Sequence, residues 1–227
     1  MRARPRIGGR CGPARLRWGA GLLLSLSCAT SGAPTVDFLS TPPQYGSDKY
    51  PEVYDRWTRH EKVLHELDSA LEVWATYKSR DYREAFVARY ADAYRLSDAE
   101  RQRIEIAQKE AERVSYEFVV TAQSAIYRWN DLEKKSSAWR ISLRDGAGHE
   151  LSPEKVSYEK LPEMYEREFF PVKTPFTRSY FVSFVRPTAS EAKAGADDGF
   201  VGEPSGQLVL RITGPFGAAD LTWSARP

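Results

Sequence analysis

The hydrophobic period changes partway along this chain, and the change limits the folds open to it. Between Tyr50 and Val114 large apolar residues recur every three or four positions, whereas from Tyr116 onward they alternate. A chain carrying both periods has to bury a helical stripe and one face of a set of strands, so the fold class expected is α+β. In the first part, Tyr50, Tyr54, Trp57, Leu64, Leu67, Leu71 and Trp74, with Ser47 or Asp48 as a cap and Pro51 in the first turn, predict a helix over 49–78. Ser79 or Asp81 caps a second helix whose Tyr82, Phe86, Tyr90 and Tyr94 share a stripe. Ser97 with Glu100 three residues on is a capping box, opening a third helix with Ile104, Ala107, Ala111 and Val114 on its buried face.

The alternating part predicts seven short strands: one from Tyr116, one at Trp139–Arg144 before the Asp145-Gly146 turn, then 155–161, 166–170, 178–186, 207–213 and 219–224. Seven strands punctuated by Gly and Pro over about 110 residues resemble an immunoglobulin-like antiparallel sandwich, without the cysteine pair of antibody domains. The organisation expected is therefore a three-helix unit over 49–115, packed with or followed by a β-sandwich over 116–227. Pro187–Gly206, small and polar, reads as a loop.

The N-terminus has a different character. Arg2, Arg4, Arg6, Arg10, Arg15 and Arg17 form a basic segment, followed by the uncharged run Trp18–Ser27. Such a run is too short to span a bilayer, which takes roughly 20 apolar residues, and it fits the core of a signal peptide over 1–27. It stops at Ser27-Cys28-Ala29-Thr30, which resembles the lipobox of bacterial lipoproteins. That resemblance implies cleavage before Cys28, a lipid on its sulfur, and a membrane-anchored protein of the bacterial cell envelope, at the outer membrane facing the periplasm. Ser27-x-Ala29 also satisfies the small-x-small rule of ordinary signal peptidase, which would release a soluble exported protein. Residues 28–48, rich in Ser, Thr, Pro and Gly, read as a tether in which Val36, Phe38 and Leu39 offer a short docking strand.

Removing the leader changes the charge. Six of the 33 basic residues lie in it, and the remaining 27 face 31 acidic ones, a balance near −4. No polybasic run survives, which argues against nucleic acid as a partner. Both cysteines, Cys11 and Cys28, fall at or before the processing site, so the folded part holds itself together without disulfides.

Catalytic patterns are weak. His60 and His65 are five apart, about 140° around a helix, where a zinc helix needs i and i+4. Ser-x-x-Lys occurs at Ser152, Ser157 and Ser190 without the elements that accompany it in serine acyl-enzymes. Asp197-Asp198 lacks calcium-loop spacing, and the Ser205 context falls one position off G-x-S-x-G. No catalytic, metal or cofactor site is therefore expected. Tyr127 and Trp129 fit no predicted element and form a candidate binding platform. The function expected is that of a non-catalytic envelope lipoprotein, an interaction or structural module whose partners are the membrane, through the lipid, and envelope proteins or cell-wall glycan. The alternative is a carbohydrate- or peptidoglycan-binding module, and a hydrolase assembled only in the fold ranks third.

Overall fold

The computed structural model describes residues 34–66, 68–171, 174–187 and 200–226; the leader, Cys28, Ser190 and Asp197-Asp198 lie outside them. The fold is α+β. Among the described residues it has four α-helices, α1 (Tyr50–Trp57), α2 (Arg80–Tyr94), α3 (Asp98–Val114) and α4 (Glu163–Phe169), and two five-stranded sheets. One sheet runs in the order β1 (Thr35–Val36), β10 (Gly217–Ala225), β9 (Gln207–Gly214), β5 (Arg140–Asp145) and β6 (Glu150–Leu151). The other runs β2 (Thr58–His65), β3 (Asp68–Tyr77), β4 (Ser115–Gln123), β8 (Arg178–Val185) and β7 (Lys155–Tyr158). All pairings are antiparallel except that of β1 with β10.

Side-chain alternation sets the core. Val73, Ala75 and Tyr77 on β3 pair with Ala122, Val120 and Phe118 on β4, where Val120, Phe118 and Tyr116 pair in turn with Tyr180, Val182 and Phe184 on β8. These residues face Leu208, Leu210, Ile212, Ala219, Leu221 and Trp223 of the opposite sheet in one contiguous buried cluster. Trp223 joins the sheets, its ring centroid 5.4 Å from Phe118 and 6.1 Å from Tyr77. Trp139 lies in the same cluster, and a Cβ on Gly214 would sit 2.5 Å from its ring, so the strand has to be bare there.

Several expectations need correction. The helix predicted over 49–78 ends at Trp57, and Thr58–His65 and Asp68–Tyr77 pair as the antiparallel strands β2 and β3 instead. The helical units are therefore not an N-terminal block: β2 and β3 separate α1 from α2, and α4 falls among the later strands. Leu71 and Trp74 fit a helical stripe, but Leu71, Val73, Ala75 and Tyr77 also fit a strand, and all four are buried, Leu71 paired with β2, Val73 and Ala75 with both β2 and β4, and Tyr77 with β4. The strand predicted at 166–170 is the helix α4, entered through Pro162 and supported by the Tyr165–Phe169 ring pair at 4.7 Å and a Glu163–Arg167 ion pair. In α3 the capping box forms as predicted, with Glu100 accepting from the Ser97 backbone, yet the helix buries no residue. Val114 is 44% exposed, and the contacts of α3 with α2 include the Arg80–Glu112 ion pair.

The segment expected as a tether docks at Val36, which is buried, and Arg226 donates from its backbone to the Val36 carbonyl. Arg59, facing inward on β2, reinforces this edge by donating to the carbonyls of Pro34, Arg56, Thr58 and Thr222. Among the described residues no carboxylate pairs with it, and burial holds its pKa down to about 10.

Candidate functional site

The second face of the β2–β3–β4–β8–β7 sheet is partly roofed by the helices, and an aromatic groove opens beneath them. Its floor is Val119 of β4 and Phe181 of β8, register partners on the sheet face turned away from the opposite sheet. The α2 stripe makes one wall. Ser79 caps this helix by accepting from the Tyr82 backbone, which fixes the start from which Tyr82, Phe86 and Tyr90 follow at intervals of four. Successive rings along the stripe lie 6.1 and 5.7 Å apart. Tyr165 and Phe170, in and just after α4, close one side, while Ile104 and Gln108 of α3 form the other. The groove encloses about 300 Å³.

Its inner end is charged. Lys78, at the junction of β3 and α2, places Nζ 2.5 Å from Oε2 of Glu117 on β4. Arg83 of α2 reaches the same oxygen at 3.0 Å and also donates to the Lys78 carbonyl and the Gln108 side chain. Burial, with Arg83 adding to it, lowers the pKa of Lys78 in spite of Glu117. For Glu117, burial works upward, but the two cations outweigh it and hold the carboxyl below the usual range. Burial pushes the Tyr165 hydroxyl up to about 12, so it is a neutral lining group at ordinary pH.

Sequence reasoning did not single out this site. The available signal was parity: Val119 and Phe181 are large apolar residues at positions that a sheet with one wet face would leave polar. The spacing of Tyr82, Phe86 and Tyr90 predicts a helical stripe, and in the fold that stripe is the wall of an opening.

The predicted platform lies elsewhere. Tyr127 and Trp129 share a short 3-10 helix, Tyr127–Trp129, after β4. Tyr127 is 56% exposed and takes the Arg178 guanidinium over its ring at 4.3 Å, whereas Trp129 is half-buried and leans on Phe216 at 5.3 Å. The histidines also separate. His60 stacks on Trp74 at 4.6 Å and meets Glu72, while His65 stacks on Phe216 at 4.1 Å. His149 has an acid partner, its Nδ1 3.1 Å from Asp145. The Ser205 hydroxyl nearby is bonded instead to Gly146, Gly202 and Gln207. Among the described residues no three His, Cys, Asp or Glu side chains gather as a metal site would need, and no helix is long and apolar enough to cross a membrane.

No family model matches the chain. No curated protein matches it either. Among solved structures it is similar to the crystal structure of a novel protein of unknown function from Burkholderia pseudomallei K96243 at 1.90 Å resolution, with 13% sequence identity, a TM-score of 0.37, and coverage of 82% of this chain and 92% of that one.

Proposed function

We propose that this protein is a non-catalytic lipoprotein of the bacterial envelope, anchored through Cys28 at the outer membrane facing the periplasm, and that it works by binding a small, largely apolar molecule in the aromatic groove. The groove carries this reading. Ligand sites are mostly apolar concavities with a few convergent polar groups, roughly 300–1,000 Å³ in size, and this one combines six aromatic rings with Lys78 and Gln108. The anchor rests on the leader and the Ser27-Cys28 junction. Acyl chains supply about 0.8 kcal/mol per buried methylene, so several chains hold a protein firmly.

The framework is read as an immunoglobulin-like sandwich. The order β3, β4, β8, β7 corresponds to A, B, E, D of that architecture, and β10, β9, β5, β6 to G, F, C and C′. In this reading β2 is an added edge strand, and α2 and α3 are an insertion between A and B.

Two experiments test the proposal. Cys28→Ser should move the protein from the detergent-extracted membrane fraction to the soluble envelope fraction, and unchanged fractionation would count against lipidation. The neutral dye Nile red should gain fluorescence with the full chain and lose most of that gain with Ile104→Glu, which puts a charge at the rim. Equal signals from both proteins would remove the groove as the binding site.

Tyr127 supports a second reading, a glycan-binding module, by its exposure beside Phe176, itself 69% exposed. The ring of Trp129 is turned to Phe216, so a paired stacking surface has less support than the groove.

A further inference from the structure

We infer that the ligand of the aromatic groove is a small amphiphile with one anionic group, its head held by Lys78 at the inner end and its apolar body against the rings. This rests on the groove being the binding site and adds the chemistry of the occupant.

The inference comes from the charges at the inner end. Lys78 and Phe181 line the groove and also a second cavity of about 190 Å³, so the two residues form part of the wall shared by both. The second cavity adds Glu117, Lys155 and Glu159, and Arg83 reaches Glu117 from α2. Of the residues lining the groove itself, Lys78 is the charged one, the others being aromatic, aliphatic or amide. Glu117 is already shared, since Lys78 and Arg83 both bond its Oε2.

The two central cations differ in what they can still do. Arg83 is 4% exposed and spends its nitrogens on Lys78, Gln108 and Glu117, so it is a structural brace. Lys78 is 20% exposed, and of its three donors one bonds Glu117. A partly desolvated cation with spare donors facing an apolar cavity gains most from an anion that also brings apolar surface. Cavity size limits the rest: about 300 Å³ is at the small end for ligand sites and suits a single short chain or one ring system.

Nile red displacement from the full chain by laurate, dodecanol and dodecyltrimethylammonium, each kept below its micelle concentration, tests the inference. The three carry the same tail with an anionic, a neutral and a cationic head. Laurate should bind about tenfold or more tighter than dodecanol, the difference expected of one charge-assisted hydrogen bond, and the cation should bind weakest. Lys78→Gln should bring laurate to the level of dodecanol and leave dodecanol unchanged, while Lys78→Arg should keep the preference. Thermal unfolding checks that the variants are folded, and the head-group comparison on the unaltered protein stands without them. Equal binding of laurate and dodecanol, or a laurate advantage that survives Lys78→Gln, would overturn the anionic head and leave the groove reading intact. Failure of all three to displace the dye would overturn both.

Discussion

The two faces of the β2–β3–β4–β8–β7 sheet are built from the same strands and have different physics. On the inner face, Tyr77, Phe118, Val120, Tyr180 and Phe184 are each no more than 1% exposed, pressed against the opposite sheet. On the outer face the apolar side chains are interrupted by Thr76, Thr121, Ser179, Glu117 and Glu72, and the helices cover them incompletely. Phe181, between the fully buried Tyr180 and Val182, is only half-buried. The inner face is packed to stabilise the fold, whereas the outer one leaves room. The polar interruptions explain the difference. An outer face carrying hydroxyls and carboxylates cannot be sealed by apolar helices without stranding those groups, so the helices meet it through specific bonds. Glu166 on α4 accepts from Ser179, and Arg83 on α2 reaches Glu117.

The sharpest way to break this contrast is on the inner face. Trp223→Ala removes a fully buried indole whose Nε1 donates to the Trp57 carbonyl, and it should cost about 3–5 kcal/mol in denaturant unfolding. A loss below about 1 kcal/mol would mean that the sheets do not depend on this contact. On the outer face, Phe181→Ala removes a ring of comparable size from a lining that is already open to solvent. The expected cost is smaller, about 1–2 kcal/mol, because less apolar surface is returned to water. The same substitution should weaken Nile red binding, which Trp223→Ala, if it stays folded, should not do. Equal stability losses for the two variants would show that the outer face is as tightly packed as the inner.

Much of the local structure was legible in the residues. Ser79 and the Ser97–Glu100 pair mark helix starts because a capping hydroxyl and the backbone amides it satisfies lie within one turn of each other. Strands β5, β8, β9 and β10 were legible through alternation, since each has one face in the core. Residues 163–169 misled in the other direction, because a seven-residue segment is too short for its period to be decisive. The groove was hidden because its members, Lys78, Ile104, Val119, Tyr165 and Phe181, come from five separate stretches of chain, and none is a motif by itself.

By itself, the sequence determined what depends on neighbours within a turn or a strand: the caps, the alternation, the change of period that makes the fold α+β, and the Ser27-Cys28 junction. The tertiary structure decided what those residues are paired with. Residues 58–77 satisfy both a helical and an alternating period, and Thr58–His65 and Asp68–Tyr77 become paired strands because β4 offers a partner at long range, with Gln123 bonding Glu72 from 51 residues away. The same long-range pairing sets Val119 beside Phe181 and Lys78 beside Glu117, making a cavity and its charge. Contacts at such separation depend on which chain segments meet, and local spacing carries no record of that.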